Sequence, residues 1–352
     1  MTPSITIALD AMGGDLGPAA AIAGAARALS ERPELKFILF GRAPDIDTQL
    51  SRYPALRSVS AVHHTDGVIA AHDKPSTALR QGRESSMRKA IEAAADGRAQ
   101  CIVSSGNTGA LMAMAKMVLK TLPGVHRPAI ASIFPTIKDH PIMMLDLGAN
   151  IECDSEMLVQ FAVLGAVYAR VVRHIDRPSV GLLNVGSEEM KGHEELRQAA
   201  RILAGIQFPG RFYGFVEGND IPLGTTDVVV TDGFTGNVAI KVAEGVAKLT
   251  GTFIRQAFTS SPLSILGGLL VRGGMKRLKK RVDPRLYNGG MFLGLNGICV
   301  KSHGGSDEVG VANAILRAAD LVANDFNARV AAEMEAVMNQ ESFMSPVSGE
   351  VA

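Results

Sequence analysis

Four asparagines stand where short apolar runs end in polar, glycine-bearing turns: Asn107 in SSGNTGA, Asn150 in DLGAN, Asn184 in NVGSEEMKG and Asn237 in TDGFTGN. An amide can donate to a developing oxyanion while remaining uncharged. Lys191, in the third of these turns, adds one compact cation, and Asp10, Asp146 and Asp232 are placed to orient the donors. The resulting ensemble is amides, backbone N–H groups and one lysine, without a Ser–His–Asp triad. The eight histidines show no paired metal-ligand spacing, so no metal site is expected.

A fifth turn, DAMGGD, sets Gly13 and Gly14 between Asp10 and Asp15. It lacks both the G-x-G-x-x-G fingerprint and a Walker lysine, and its acids would repel an anion. Each of these residues also has a plainer reading. Asn and Gly suit left-handed turns, and a single Asp can cap a helix. The repetition of one pattern, strand then glycine turn then helix start, is what points to a site. In an open parallel sheet the carboxyl ends of strands line a common crevice. Helix N-termini there present unbonded N–H groups and partial positive charge, a natural place for phosphate.

The elements that must position these loops are legible as alternating β-rich and Ala-rich stretches. ITIALD, FILFG, CIVSS, IASIFPT, PIMMLDLG, SVGLLNVG and VVVTDG read as strands, most of them followed by helical segments. This predicts an α/β chain in three α/β/α layers with a mostly parallel sheet. Val311, Ile315, Val322, Phe326 and Val330 predict one long helix over about Val311 to Val337. Residues 1–338 are expected to form one catalytic unit, and 339–352 a flexible tail.

Residues 238–284 differ in character. Val238, Val242, Val246, Leu249 and Phe253 recur at helical spacing, and the chain then breaks at Pro262 and at paired glycines. Leu263, Ile265, Leu266, Leu269 and Leu270 precede Lys276, Arg277, Lys279 and Lys280. The expectation is a protruding helical hairpin with an apolar tip and a basic arm, serving as a dimer contact, a membrane contact or a dock for a carrier.

The composition excludes several classes. With 352 residues, 47% hydrophobic and no Trp, the chain can bury a large core of closely packed helices and sheet. A net charge of +1 provides no global field for nucleic acid. Cys101, Cys153 and Cys299 are odd in number and widely spaced, which argues against a disulfide framework. No basic stretch followed by an apolar core opens the chain, so a cytoplasmic protein is expected.

The motifs ALDAMGGD, SSGNTGALMA, RPAIAS, DLGANIECDSEMLVQFA, GLLNVGSEEMKG, FYGFVEGNDI and VVVTDGFTGNVAIKVAEG occur in this order. In this respect the chain, from Ile5 to about Asp325, resembles the bacterial acyl-carrier-protein:phosphate acyltransferases. The resemblance implies a fold like that of phosphotransacetylases and isocitrate-dehydrogenase-like proteins, usually as a homodimer. It implies conversion of long-chain acyl-carrier protein and orthophosphate to acyl phosphate for phospholipid synthesis, without a cofactor. Ser105 and Ser187 depart from the residues common in those loops. On this basis Lys191 is expected to hold phosphate and Asn237 to bind phosphate or the oxyanion. Asn107, Thr108, Gly109, Asn150, Asn184, Asp232 and Gly236 would complete the cradle, while Asp10, Gly13, Gly14, Asp15 and Asp146 organise the cleft floor. Peripheral contact with an anionic membrane is expected through the hairpin. An acyl-CoA-dependent transferase, a dinucleotide-dependent oxidoreductase and a non-catalytic carrier or membrane scaffold are the alternatives.

Overall fold

Alternate residues of the first strand go to opposite cores, which is how a sheet buried on both faces is built. Ile7 and Leu9 pack with Phe37, Phe161 and Val311 on one side, and Ala8 with Phe40, Ile102 and Leu111 on the other. The computed structural model describes residues 4–281, 283–287 and 289–340. Its strands are β1 (Ile5–Asp10), β2 (Leu35–Gly41), β3 (Ser60–His64), β4 (Cys101–Ser104), β5 (Ala129–Phe134) and β6 (Ile142–Leu145). They continue with β7 (Ser179–Leu183), β8 (Arg211–Val216), β9 (Val228–Val230), β10 (Gly290–Leu293) and β11 (Ile298–Lys301). All lie in one sheet, in the order β3-β2-β1-β4-β11-β10-β5-β6-β9-β7-β8.

The first helices are α1 (Gly17–Glu31), α2 (Ala43–Leu50), α3 (Pro54–Ser58), α4 (Pro75–Gln81), α5 (Ser86–Ala95) and α6 (Thr108–Leu119). After them come α7 (Ser155–Val171), α8 (Glu194–Gly205), α9 (Asp220–Leu223) and α10 (Gly233–Thr259). The chain closes with α11 (Pro262–Leu270), α12 (Arg272–Arg281), α13 (Glu308–Ala323) and α14 (Phe326–Met338). Helices α1, α7, α13 and α14 cover one face and α5 and α6 the other, giving the expected three layers. Small residues bring helices close: a methyl on Gly24 of α1 would meet Val311 of α13 at 2.6 Å.

The sheet is not one parallel run. β3, β2, β1, β4 and β11 form a parallel block, and β6, β9, β7 and β8 form another. Between them β10 and β5 pair antiparallel to each other and to their outer neighbours, so the second block runs opposite to the first. The sheet is thus mostly parallel, as expected, but in two blocks whose carboxyl ends do not share one edge. Sheet twist lessens the opposition: five strand steps from β4 to β9 rotate direction by roughly 100–125°. The two sets of carboxyl ends then point about 55–80° apart instead of opposite ways.

One long C-terminal helix is also corrected. The chain bends at Asp325, which takes a left-handed φ of 49°, and divides into α13 and α14. Apolar steps of four run straight through the bend, so periodicity could not reveal it. The two halves pack on different partners, α13 on α1 and α14 on α7, where Phe326 meets Tyr168 edge-on with ring centroids 6.1 Å apart. Gln340 accepts from the Gln207 amide at 2.7 Å; residues 341–352 of the expected tail lie outside the described residues.

Helix α10 is buried only at Gly233 and Gly236, and beyond its first turns it stands clear of the sheet. With α11 and α12 it forms the protruding hairpin. The stripe Val238, Val242, Val246, Leu249 and Phe253 is exposed along its length, as are Leu263, Ile265, Leu266, Leu269 and Leu270 on α11. Lys276 and Arg277 are exposed on α12; the side chains of Lys279 and Lys280 lie outside the described residues. No described helix is long and apolar enough to cross a membrane.

Candidate active site

Three of the five glycine loops meet at the carboxyl ends of β6, β9 and β7, which are adjacent strands. At a strand spacing of about 5 Å, the outer two loops are about 10 Å apart. The floor is Asp146, fully buried at the end of β6. Its Oδ1 accepts from the backbone N–H groups of Ile130 at 2.9 Å and Ala149 at 3.0 Å. Its Oδ2 accepts from the backbone and side-chain amides of Asn150 at 2.7 and 2.9 Å. Burial pushes this carboxyl above its ordinary range, and those hydrogen bonds draw it part of the way back.

The amides divide sharply. Asn150 gives its remaining side-chain hydrogen to the Pro128 carbonyl at 2.9 Å. Asn184 accepts from Val185 N at 2.8 Å and donates to the Lys191 carbonyl at 3.1 Å, closing the β7–α8 loop. Asn107 caps α6 by accepting from Ala110 N at 2.9 Å, and donates to the carbonyls of Ala71 and Asp73 at 2.8 and 3.0 Å. Asn107 and Asn150 thus spend both side-chain hydrogens inside the protein and Asn184 one of its two, so all three clamp loops. Asn237 is different. Its side chain is exposed, and among the described residues its amide has no hydrogen-bond partner.

Asn237 sits in the second turn of α10, whose start is tightly fitted. Asp232 caps the helix, accepting from Thr235 N at 2.8 Å and Thr235 Oγ1 at 2.7 Å. Gly233 N donates to the Asn150 carbonyl at 2.7 Å. A methyl on Gly236 would fall 1.9 Å from the Asp146 carbonyl oxygen, so only glycine lets α10 lie this close to the DLGAN turn. Gly148 flanks Asn237 across that contact.

Lys191 projects from the neighbouring loop. Its Nζ is 3.4 Å from Glu188 Oε1, and nearly half of its side chain is exposed. An exposed pair of this kind is weak, so an incoming anion can compete for the lysine. The nearby thiol of Cys153 is pushed up to about 12 by burial and by Asp146 and Asp232; Cys101 is pushed as high by burial alone. Burial likewise raises Cys299. These thiols are poor nucleophiles at neutral pH. Among the described residues no group of three or more His, Cys, Asp or Glu side chains converges as a metal would require.

The other two loops, at β1 and β4, form the opposite wall. Asp10 is buried and accepts from Ser86 Oγ and Ser104 Oγ, both at 2.6 Å. Burial raises its pKa, against the pull of those hydroxyls. A methyl on Gly13 would meet Gly106 N at 2.6 Å, and Gly14 turns at φ +86°, so the two glycine loops lie backbone to backbone. Asp15 N donates to the Gly304 carbonyl at 2.8 Å. Thr108 and Gly109 open α6 beside them.

Gly304 belongs to a sixth loop, KSHGGS between β11 and α13, which sequence reasoning missed although it follows the same strand–glycine–helix pattern. Its His303 is lowered by burial and by the cations Lys301 and Lys241. Lys241 lies one helical turn beyond Asn237 on α10. The start of α10 thus links the two walls, with Asn237 against one and Lys241 acting on the other.

Comparison with known proteins agrees with this architecture. The family model described as "Fatty acid synthesis protein" matches residues 5–329. A phosphate acyltransferase of Rhodospirillum centenum is 55% identical over 100% of this chain and 99% of its own length. Another, from Caulobacter vibrioides, is 48% identical over 94% of this chain and 91% of its own. In fold the chain is similar to a phosphotransacetylase from Streptococcus pyogenes, with a TM-score of 0.59 at 15% identity over 91% of this chain and 94% of that one. The EutD phosphotransacetylase from Staphylococcus aureus gives 0.57 at 15% identity over 93% and 94%. Sequence identity of this level across nearly the full length decides the matter: the chain belongs to the fatty acid synthesis protein family, among its phosphate acyltransferases.

Proposed function

We propose that this acyltransferase moves a long-chain acyl group from acyl-carrier protein to orthophosphate, releasing acyl phosphate for glycerophospholipid synthesis. A phosphate oxygen attacks the thioester carbonyl, a C–O bond forms, and the tetrahedral oxyanion collapses with cleavage of C–S. The carrier's pantetheine leaves as a thiolate, whose pKa near 8.5 makes acid assistance a minor need. Phosphate is itself the nucleophile, so no acyl-enzyme is required. The work left to the protein is positioning, worth ~7–11 kcal/mol, and oxyanion stabilisation.

The observation that carries this reading is the unspent amide of Asn237 at the start of α10, on the loop next to the one that bears the loosely held Lys191. Lys191 binds phosphate and offsets its charge, and Asn237 donates to phosphate or to the oxyanion. Asp232 and Gly236 hold the helix start, Asn150 and Asp146 its floor, and Asn184 the lysine loop. Asn107 keeps the N–H groups of Thr108 and Gly109 on the far wall. The raised thiols favour direct attack. Incubation with phosphate and either acyl-carrier protein or acyl-CoA, with hydroxylamine capture of acyl phosphate, tests the donor. Capture with the carrier well above that with the coenzyme is expected; the reverse replaces acyl-carrier protein by acyl-CoA as substrate.

The hairpin is read as the assembly and membrane element. The exposed stripe of α10 suits a second copy of the chain in a homodimer. The apolar α11 can rest among lipid headgroups, with cations of α12 toward anionic lipid or the acidic carrier.

A further inference from the structure

A charge lies beneath the far wall. Lys301 ends β11 with only 9% of its surface exposed, and its Nζ donates to the carbonyls of Ser302 and Ser105, the latter at 3.3 Å. Among the described residues no carboxylate is close enough to pair with it directly. Asp10 has its oxygens engaged by Ser86, Ser104 and the Met12 N–H. Asp10 and Asp15 act on the ammonium from farther away. Burying an ammonium on carbonyls alone is costly, and a methionine of similar volume would avoid the cost. A buried charge of this kind, next to loops of the candidate site, makes Lys301 a candidate for a functional role.

The loops it joins are the ones that shape the wall. Ser105 lies between Ser104, which bonds Asp10, and Gly106, which packs on Gly13. Ser302 precedes His303 and Gly304, where the wall meets Asp15 and the field of Lys241 and Glu244 from α10. We infer that Lys301 is a positioning residue for acyl transfer: its ammonium ties the β4–α6 loop to the β11–α13 loop and fixes the wall that faces Asn237. The inference rests on the reading of that cleft as the active site.

Burial lowers the Lys301 pKa from 10.5 to about 8, with Asp10, Asp15 and Cys299 opposing the shift. His303, two residues on, feels Lys301, Lys241, Glu244 and Asp15. Because the folded value lies below the unfolded one, the unfolded chain holds the extra proton between about pH 8 and 10.5. Stability from this group therefore rises with pH through that window, and its cost is full below it. The tie itself weakens over the same range, as the ammonium loses its proton and charge.

The test compares wild type, Lys301→Met, Lys301→Arg and Asn237→Ala, using whichever acyl thioester supports wild-type turnover, with phosphate. Lys301→Met should lose about tenfold or more in kcat while melting at the wild-type temperature or above at pH 7. Wild-type kcat should fall on an alkaline limb near pH 8, and that limb should be absent in Lys301→Met. Lys301→Arg, which keeps its charge, should lack the limb and recover part of the activity. Wild-type kcat with the same limb in Lys301→Met overturns the inference. So does a loss of activity that merely follows a lowered melting temperature, which would leave Lys301 a structural tie. Asn237→Ala separates the two readings: near-normal turnover there removes the active-site assignment, whereas its loss beside an active Lys301→Met removes this inference alone.

Discussion

Four similar asparagines end up with two kinds of work, and the difference lies in where their hydrogens go. Asn107 and Asn150 spend both side-chain hydrogens on carbonyls and the Asp146 carboxylate, and Asn184 gives one to the Lys191 carbonyl, while the Asn237 amide remains available at the start of α10. Asn237→Ala should lower turnover by roughly a hundredfold or more with an unchanged melting temperature. A loss of only a few-fold in steady-state rate would reduce Asn237 to a turn residue. If Lys191 holds phosphate as proposed, Lys191→Ala should fold normally and lose most of its turnover, since its loop has no second lysine or arginine; unchanged phosphate dependence would remove it from the site. Gly236→Ala should be damaging for a different reason. Its methyl would collide with the Asp146 carbonyl, so α10 must move away, and both melting temperature and activity should fall. The glycine-turn pattern was legible because it is local. The spending of three amides was not, because their acceptors include Ala71 and Pro128, residues that only the tertiary fold brings near.

At the scale of elements, strand-then-helix alternation and the stripe on α10 were legible from periodicity, whereas the bend at Asp325, the strands β3 and β8, and the four-residue β10 and β11 were not. The bend preserves the apolar phase, and those two four-residue strands acquire meaning only from their partners. The hairpin carries its own prediction. Replacing Leu266 and Leu269 with Glu should reduce flotation on anionic liposomes while turnover of soluble acyl-carrier protein largely survives, because both residues are exposed on α11 away from the cleft. Unchanged flotation by a folded protein would end the membrane role, and loss of the dimer in sedimentation would assign α11 to subunit contact instead.

The whole molecule brings its loops together by an unexpected route. Two parallel blocks of opposite sense are joined through β10 and β5, sheet twist lessens the opposition of their carboxyl ends, and α10 reaches from the loops of the second block toward His303 in the first. The strand order and this reversal could not be read from loops that look alike in both blocks; they depend on which strands pair. The cleft needs no nucleophilic side chain if phosphate itself attacks the thioester, and the three thiols are raised accordingly. A triple Cys101→Ser, Cys153→Ser, Cys299→Ser protein that folds should therefore keep its turnover, as initial rates would show. The most direct test of the account is a rapid-quench measurement of carrier thiol released from acyl-carrier protein, with and without phosphate, alongside capture of the acyl product by hydroxylamine. Direct attack predicts no thiol burst without phosphate, and one captured acyl group for each thiol released when phosphate is present. A burst equal to the enzyme concentration in the absence of phosphate, with acyl group retained on the protein, would contradict it.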